Sequence, residues 1–361
     1  MEVKNFIKAI KEIGINSFYG VPDSLLSDLS KYLEFESDND IQHVITQNEG
    51  SAVGMAIGNY LSTKMPSAVY LQNSGLGNIV NPVVSLSSSQ VFSIPLLLII
   101  GWRGSPDTID EPQHKLQGEI TLKQLKLMNI DYLILDKNKD IQTDEIIRNI
   151  SKKRSIALII KKDYFEKDSR NFSSNKNSLT RKEVIDQLIN IYDEDTIFIS
   201  TTGKTSRELY ELNKKHNRKA FYCIGGMGHA SSVAAGVALN NSNKRVVCLD
   251  GDGSFLMHMG FAPIIGSLNL QNFHHYILNN FSHESVGGQP TVGKEIDFDK
   301  ISMGSNYDSY YRCQSLNDLN KIVKSFENNN GTSLIEVLIN INSDPTLPRP
   351  DKKPIEYLEF F

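Results

Sequence analysis

Residues 247–259 read VCLDGDGSFLMHM and place Asp250 and Asp252 among glycines directly after an apolar run. The apolar run predicts a buried strand, and the glycines predict a tight turn from that strand into a helix. A carboxylate there is destabilising unless a cation or backbone donors meet it. Such a turn suits a phosphate group at a helix N-terminus, with an aspartate holding a divalent cation beside it. By itself, the GDGS segment also fits an ordinary strand-to-helix turn.

The next predicted strand ends in Asn279 and Asn280. The 25 residues from Ser254 to Leu278 inclusive leave room for one helix and one strand. A βαβ unit of that length would return Asn280 beside Asp252, at the carboxyl edge of a parallel sheet where open α/β folds bind ligands. The spacing therefore predicts that an amide oxygen joins the carboxylate on one metal ion.

The rest of the chain alternates short apolar runs with helical patterns in two blocks. The predicted strands lie at residues 18–19, 44–45, 68–71, 96–100, 132–135 and 157–160, and at residues 196–199, 220–224, 245–249, 275–278 and 333–338. Apolar runs without alternation, separated by helices, are typical of a parallel sheet covered on both faces. We therefore predict an α/β fold of two doubly wound parallel-sheet domains without a middle domain: residues 1–165, a polar linker at 166–180, and residues 181–361.

Composition narrows the class of protein. The chain has 361 residues, 22% of them charged, and a formal net charge of -4, so we expect neither nucleic acid nor a membrane as a partner. Its most apolar run, residues 94–100, is far shorter than the ~20 residues of a membrane helix, and its start lacks the features of a signal peptide. Cys223, Cys248 and Cys313 show no CxxC spacing. We expect no disulfide framework or zinc site, and a cytoplasmic location.

The GDG segment, about 25 residues and then a pair of asparagines resemble the signature of thiamine-diphosphate-dependent enzymes. In that family the aspartate, the second asparagine and a backbone carbonyl two residues on hold Mg²⁺ against the diphosphate. The resemblance implies thiamine diphosphate and Mg²⁺ as cofactors, with Asp252, Asn280 and Ser282 as the metal ligands. It assigns no ligand role to Asp250.

Residues 46–60, TQNEGSAVGMAIGNY, follow a predicted strand and resemble the helix start that carries the activating glutamate of the same family. Taken alone, Glu49 also fits an ordinary acid at a helix N-terminus. The resemblance implies that Glu49 contacts the aminopyrimidine ring of the cofactor. Burial favours the neutral form of a carboxylic acid, which can then protonate a ring nitrogen.

Residues 223–239, CIGGMGHASSVAAGVAL, combine a glycine-rich turn with a helix of small residues. Met227 stands where the family carries the bulky residue that wedges the cofactor into a bent shape; core packing is the alternative. Residues 73–78, NSGLGN, fit the wall of the same cleft. The further cofactor contacts that the resemblance implies are Asn73, Gly75, Gly203, Gly226, His229, Gly251, Gly253, Ser254 and Ser285.

Four segments resemble the phosphonopyruvate decarboxylases: GVPDS at 20–24, GWRG and DEPQHKLQG within 101–118, STTGKTSRE at 200–208, and HESVGGQPT at 283–291. Sulfopyruvate decarboxylase is the near relative and is generally split into two chains, so we expect the fused chain to favour the phosphonate enzyme. Phe281 and Ser282 stand where we expect small residues, and Glu284 where we expect aspartate. These departures leave substrate specificity open.

The resemblance implies decarboxylation of 3-phosphonopyruvate to phosphonoacetaldehyde and CO₂, as in phosphonate biosynthesis. Asp23 and His114 are the candidates for proton transfer, although Asp23 also fits a helix N-terminal acid and His114 a surface histidine. The candidates for binding the substrate's anionic groups are Ser24, Arg103, Lys115, Lys204 and Arg207. Each cation also fits a solvated surface charge, and Arg207 could pair with Glu208 or Glu211.

Two other classes stay open. A carboligase would pass the same intermediate to a second carbonyl, and a non-catalytic scaffold would keep only the fold. Glu49 together with Asp252 and Asn280 argues against the scaffold, which has no need of an activating acid. In the family, the pyrimidine-binding domain (here 1–165) of one subunit meets the diphosphate-binding domain (here 181–361) of another. We therefore expect a homodimer or homotetramer with inter-subunit active sites.

Overall fold

The computed structural model describes residues 1–36, 40–137, 139–327, 330–344, 346–348 and 353–360. The chain divides into two compact units. Unit 1 comprises Met1–Asn171 and His283–Gln289, and unit 2 comprises Phe172–Ser282 and Pro290–Phe361. A short segment of the later chain, His283–Gln289, thus belongs to unit 1, which no sequence pattern indicated.

Unit 1 is built on a parallel sheet whose six strands, among the described residues, run in the order β2-β1-β3-β4-β6-β5. The strands are β1 (Ser17–Gly20), β2 (Gln42–Ile45), β3 (Ser67–Gln72), β4 (Leu96–Gly101), β5 (Asp131–Leu135) and β6 (Ile156–Ile160). The helices are α1 (Val3–Glu12), α2 (Ser27–Phe35), α3 (Glu49–Thr63), α4 (Leu76–Pro82), α5 (Pro112–Leu127) and α6 (Thr143–Ser151).

Both faces of this sheet are covered, which explains its unbroken apolar strands. Along β4, Leu97 and Ile99 pack with residues of α1, α2 and α6. Leu96 and Leu98 point to the other face and pack with residues of α3, α4 and α5. Successive side chains of a strand point to opposite faces, so a strand between two helical layers must be apolar throughout.

Unit 2 repeats the plan with the strand order β11-β12-β10-β9-β7-β8 in the part of it that the structure describes. Its strands are β7 (Ile197–Ser200), β8 (Ala220–Tyr222), β9 (Val246–Gly251), β10 (Phe273–Asn279), β11 (Ser309–Cys313) and β12 (Ser333–Leu338). Its helices are α7 (Arg181–Ile191), α8 (Lys204–His216), α9 (Ala230–Leu239), α10 (Asp252–Met257), α11 (Ala262–Ser267), α12 (Phe298–Gly304) and α13 (Leu316–Ser325).

The two doubly wound parallel sheets confirm the predicted fold class. Each of the predicted strands coincides with an observed strand to within two residues at either end. β11 was missed because it is an edge strand whose side chains, apart from Cys313, are partly exposed or exposed, so its apolar content is low.

Among the described helices, none is long and apolar enough to cross a lipid bilayer. Cys223, Cys248 and Cys313 all lie within the described residues, where each is buried and forms no disulfide. Burial raises the pKa of the Cys223 thiol to about 12, and the negative charge of Asp250 adds to the shift. These thiols therefore stay protonated at neutral pH.

Candidate active site

The first part of the site is the turn between β9 and α10, where Asp252 is the first residue of the helix. Its carboxylate is only 3% exposed and accepts a hydrogen bond from the Thr291 hydroxyl. Burial raises the pKa of Asp252 to about 6, while the hydrogen bond from Thr291 lowers it. Because burial disfavours the ionised carboxylate of Asp252, a cation bound beside it would stabilise that form.

The second part follows the neighbouring strand. β10 pairs with β9 in parallel, with Leu278 opposite Gly251, so Asn279 and Asn280 leave the sheet at the same edge as Asp252. The connection therefore brings the asparagine pair to the same edge of the sheet as Asp252, although it contains two short helices, α10 and α11, where the spacing predicted one. That Asp252 and Asn280 share a metal ion stays a prediction. Both parts converge on Gly293, where an added Cβ atom would lie 2.8 Å from Asp252 Oδ2 and 3.0 Å from Asn279 Oδ1.

The loop after β10 is held in an unusual conformation. Phe281 has a φ of 62°, a left-handed conformation that is strained for a bulky residue. The Asn280 side-chain oxygen accepts a hydrogen bond from the Ser282 N–H at 3.0 Å. The Asn175 amide, from the segment that precedes α7, donates to the Asn280 carbonyl at 2.9 Å. The loop is therefore fixed from both sides rather than free to adapt.

The donor set at this edge fits Mg²⁺. Asp252, Asn280 and Ser282 are all buried and offer carboxylate, amide, hydroxyl and carbonyl oxygens. The Ser282 hydroxyl has no hydrogen-bond partner among the described residues. A buried polar group of this kind is usually satisfied by a bound ion or water. Hard oxygen ligands are those that Mg²⁺ prefers.

A glycine-rich turn joins the same edge of the sheet. Gly226 and Gly228 adopt φ values of 67° and 86°, which glycine takes without strain. The Gly228 N–H donates to Ser254 Oγ at 3.2 Å, and Ser254 Oγ lies 2.8 Å from the Thr201 hydroxyl. Ser254 therefore ties together the residues that follow β7, β8 and β9, where the sequence predicts the cofactor diphosphate.

The other residues predicted at this turn have distinct surroundings. Gly203 has a φ of 83° and directly precedes α8, and an added Cβ on Gly251 would meet nothing within 4 Å. Met227 is half-buried, and its role as a wedge under the cofactor stays a prediction. His229 is exposed, and its ring stacks on His258 with centroids 4.4 Å apart.

In unit 1, Glu49 is the first residue of α3. It is only 5% exposed, and its Oε2 accepts a hydrogen bond from the Asn78 amide at 2.6 Å. A Cβ atom on Gly75 would overlap the Glu49 carboxyl group. The predicted NSGLGN segment therefore shapes the pocket that holds this acid.

Asp23 follows β1 and is completely buried. Its Oδ1 accepts from the Gln72 amide at 2.5 Å and its Oδ2 from the Leu25 N–H at 3.1 Å. Burial raises the pKa of Asp23, opposed by the Gln72 hydrogen bond and by the charge of Arg103. The alternative reading of Asp23 as an ordinary helix N-terminal acid is wrong, because α2 begins only at Ser27.

Arg103 is held in place by an acid that sequence reasoning missed. Its Nε and Nη2 donate to Asp110 at 2.8 and 2.5 Å, and its Nη1 donates to Ser24 Oγ at 3.0 Å. Although burial opposes ionisation, the hydrogen bonds from Arg103 and from two backbone N–H groups hold the pKa of Asp110 well below its usual range. The bidentate pair presents Arg103 and Ser24 as one rigid group.

Asn73 supports this group from behind. Its amide donates to the Arg103 carbonyl at 2.8 Å and to Thr121 Oγ1 at 2.9 Å, and its side-chain oxygen accepts from the Arg103 N–H at 3.1 Å. We therefore assign the Asn73 side chain to positioning the Arg103 backbone. Any contact of Asn73 with the cofactor stays a prediction.

The remaining candidates are spread over both units. In unit 1, His114 is half-buried in the first turn of α5 and Lys115 beside it is exposed. Ser285 is exposed on the His283–Gln289 segment, which groups with unit 1 and not with the metal-ligand candidates. In unit 2, Lys204 and Arg207 are half-buried on the first turn of α8.

Glu336 is a buried acid that no motif indicated. It lies in β12 and accepts hydrogen bonds from the Asn279 amide at 2.8 Å and from the Tyr310 hydroxyl at 2.7 Å. Asn279 in turn accepts from the Phe281 N–H at 3.2 Å, so Glu336 helps to hold the start of the loop that follows β10. The available signal was an acid inside the apolar run SLIEVL, where a lone carboxylate needs partners.

Comparison with known proteins agrees with this geometry. Residues 3–127 match the family model "Thiamine pyrophosphate enzyme, N-terminal TPP binding domain", and residues 201–337 match its C-terminal counterpart. The chain is therefore a thiamine-diphosphate-dependent enzyme.

The relatives are decarboxylases. Phosphonopyruvate decarboxylase of Streptomyces viridochromogenes is 30% identical over 99% of this chain and 93% of that protein. Its counterpart from Streptomyces hygroscopicus is 30% identical over 100% of this chain and 93% of that protein. Sulfopyruvate decarboxylase of Methanosarcina acetivorans is 26% identical over 95% of this chain and 92% of that protein.

The third relative corrects one expectation. Because a protein named sulfopyruvate decarboxylase also spans nearly the whole chain, fusion of the two halves does not distinguish the two activities. The level of identity over nearly the full length does distinguish the family. The chain belongs to the phosphonopyruvate decarboxylase family of thiamine-diphosphate-dependent enzymes.

Proposed function

We propose that this decarboxylase converts 3-phosphonopyruvate to phosphonoacetaldehyde and CO₂. The full-length relatives with 30% identity carry that activity in their names, which supports this substrate over sulfopyruvate. The observation that carries the catalytic part of the proposal is the buried Glu49 carboxyl group, hydrogen-bonded to Asn78. A protein that kept only the fold would have no need of such an acid.

The proposed metal ligands are Asp252, Asn280 and the carbonyl of Ser282, and their burial and oxygen donors support Mg²⁺. The glycines of the turns near residues 226 and 251 would admit the diphosphate close to the backbone. When bound, thiamine diphosphate supplies the carbanion nucleophile and the electron sink for cleavage of the carbon–carbon bond.

The proposed proton transfers involve two buried acids. With thiamine diphosphate bound, Glu49 would be the residue that exchanges a proton with the aminopyrimidine nitrogen. Decarboxylation consumes one proton, because the carboxylate carbon leaves as CO₂ and a hydrogen takes its place on the former keto carbon. Burial raises the pKa of Asp23, so its carboxyl group retains a proton at higher pH than an exposed aspartate and can deliver it. His114 is the second candidate for this transfer.

The substrate carries a carboxylate and a phosphonate, and both need cations. The proposed set is Arg103 with Ser24, Lys115, Lys204 and Arg207. The support is strongest for Arg103, because Asp110 fixes the plane of its guanidinium group.

We propose a homodimer or homotetramer in which the pyrimidine-binding unit of one subunit and the diphosphate-binding unit of another form each site. Support comes from the outer face of α3, where a Cβ on Gly54 or Gly58 would meet nothing within 4 Å. On the same helix, Met55 and Leu61 are 40% and 60% exposed. Small and apolar residues facing outward favour close approach of another helix. The molar mass in solution, measured by light scattering, tests this.

We also propose a cytoplasmic location. The support is that Cys223, Cys248 and Cys313 are buried thiols without a disulfide. Proteins of reducing compartments keep their cysteines in this form.

The deciding experiment is a decarboxylation assay on a panel of 2-oxo acids with thiamine diphosphate and Mg²⁺. We expect the highest kcat/KM for phosphonopyruvate. A far higher kcat/KM for sulfopyruvate or pyruvate would show that the substrate is wrong. Formation of a longer ketol when an aldehyde is added would favour the carboligase instead.

Glu49→Gln tests the activating acid. We expect turnover to fall by about 10²–10⁴-fold with cofactor binding retained, because the amide cannot exchange the proton. Glu145→Gln is the matched control, since Glu145 is also an acid in the first turn of a helix of unit 1. Equal activity of the two variants would mean that Glu49 acts only on its helix.

A further inference from the structure

The turn between β9 and α10, residues 251–252, carries the candidate metal ligand Asp252 and is the metal turn of this protein. Asp250, to which the resemblance assigns no ligand role, is buried more deeply than Asp252. It is 0% exposed and lies in β9, directly before Gly251. Its Oδ1 accepts a hydrogen bond from the Gly251 N–H at 3.0 Å. Its Oδ2 lies 3.4 Å from His275 Nε2. A carboxylate without solvent persists only because such donors satisfy it.

The partners of Asp250 continue to a tyrosine. His275 lies on β10 and is 0% exposed, and its Nδ1 lies 3.1 Å from the Tyr307 hydroxyl oxygen. Burial raises the pKa of Tyr307 well above its usual value, and the nearby Asp250 carboxylate adds to the shift. The hydroxyl therefore stays protonated and can donate a hydrogen bond to His275 Nδ1. When Nδ1 accepts this hydrogen bond, the ring N–H is on Nε2 and faces the Asp250 carboxylate.

We propose that Tyr307, His275 and Asp250 form a positioning relay for the metal turn. In the proposed arrangement Tyr307 donates to His275 Nδ1 and His275 Nε2 donates to Asp250, which also accepts from the Gly251 N–H. Gly251 has no side chain to fix it, and a Cβ there would meet nothing within 4 Å. The relay thus sets the backbone from which Asp252 begins, and these residues act through Asp252 rather than on the substrate.

A metal ion inside this cluster is the competing explanation. Cys248, Asp250 and His275 each offer a ligand atom, and these atoms lie within 4.8 Å of one another. The carboxylate and the imidazole, however, already satisfy each other, Gly251 and Tyr307. A metal would have to break the bond between His275 and Asp250, so the hydrogen-bonded relay is favoured.

Tyr307→Phe tests the relay, and Tyr192→Phe is a matched control. Tyr192 also bonds a buried histidine of β10, His274, at 2.7 Å, but it packs into the core on the opposite face of the sheet. Binding of thiamine diphosphate with Mg²⁺ is measured by calorimetry, and the cofactor-dependent shift in Tm supports it.

We expect Tyr307→Phe to raise the Kd of the cofactor with Mg²⁺ by about 10–100-fold, the usual effect of removing a partner behind a metal ligand. We expect kcat at saturating cofactor to change less than about threefold, because the relay does not touch substrate. The Tyr192→Phe variant should be less stable than the wild type, but its Kd for the cofactor with Mg²⁺ should change less than about twofold. If Tyr307→Phe does not fold, Asp250→Asn is compared with the same control.

The inference rests on the proposed metal site, and the outcomes separate the two. If the wild-type protein does not bind thiamine diphosphate with Mg²⁺, the metal site is wrong and the relay with it. If the wild type binds and both tyrosine variants bind equally well, only the relay is wrong. A stoichiometric metal that copurifies with the protein and is lost in Cys248→Ser would also overturn the relay.

Discussion

The carboxyl group of Glu49 occupies space that only a glycine at position 75 leaves open. An ordinary acid at a helix N-terminus points into solvent, whereas Glu49 is buried against the segment that follows β3. The Asn78 amide at 2.6 Å orients one of its oxygens. At this residue, burial and orientation favour the activating role over the helix-capping one.

Gly75→Ala should therefore impair catalysis without removing a functional group. The added methyl would displace the Glu49 carboxyl group, and we expect kcat to fall by about 10²-fold, as misplacement of a catalytic group by 1 Å does. Gly304→Ala is the control, because a Cβ there would meet nothing within 4 Å. Steady-state kinetics with phosphonopyruvate measure both, and unchanged kcat in Gly75→Ala would contradict this account of the pocket.

At the scale of elements, α7 and α8 are joined by an ion pair inside unit 2. Arg181 begins α7, and its Nη1 lies 3.2 Å from Glu208 Oε1 in α8. Both side chains are buried. Sequence reasoning offered Glu208 or Glu211 as a partner of Arg207, and it did not predict that Arg181, on another helix, pairs with Glu208. The contact depends on packing of the two helices, which no local pattern contains.

Breaking this ion pair should lower the free energy of unfolding. Glu208→Leu leaves a buried arginine without its carboxylate, and we expect the free energy of unfolding to fall by about 3–5 kcal/mol. The double variant Arg181→Met with Glu208→Leu should regain much of the loss. Lys214→Met, which breaks an exposed pair with Glu211 on the same helix, should cost less than about 1 kcal/mol. Urea unfolding followed by circular dichroism measures all three; equal losses in Glu208→Leu and Lys214→Met would contradict the prediction.

At the scale of the whole molecule, buried neutral histidines make stability depend on pH. Burial lowers the pKa of His274 to about 3, and the positive charge of Arg245 adds to the shift. Burial alone lowers the pKa of His283 to about 4. Both stay neutral in the folded chain at pH values where an unfolded histidine, with a pKa of 6.5, takes up a proton.

Lowering the pH should therefore destabilise the protein already at pH values well above the pKa range of ordinary carboxylates. The folded pKa of His274 is depressed, so its contribution is complete above pH 6.5 and is lost as the pH falls toward about 3. We expect a slope of up to about 1.4 kcal/mol per pH unit from each such histidine. Urea unfolding between pH 5 and 7 should give a flatter slope for His274→Asn than for wild type. An unchanged slope would show that His274 does not carry this dependence.

Much of the fold followed from local patterns. The unbroken apolar runs of β4 and β6 predicted strands buried on both faces, because a strand between two helical layers has no polar side. The half-exposed edge strand β11 lacked that signal and was missed. The length between Ser254 and Leu278 predicted the pairing of β9 with β10, since a βαβ connection leaves few alternatives.

The sequence by itself determined the fold class, the cofactor and the family, because glycines, acids and asparagines at set distances along the chain suffice to specify a strand, a turn and their ligands. Only the tertiary structure decided which groups support them. Thr291 on Asp252, Glu336 behind Asn279, and Tyr307 behind His275 and Asp250 all join residues from separate segments, and Asp110 holds Arg103 across the loop between β4 and α5. Burial decides these pairs, since a polar group removed from water must find whichever partner the packed chain brings within hydrogen-bond distance.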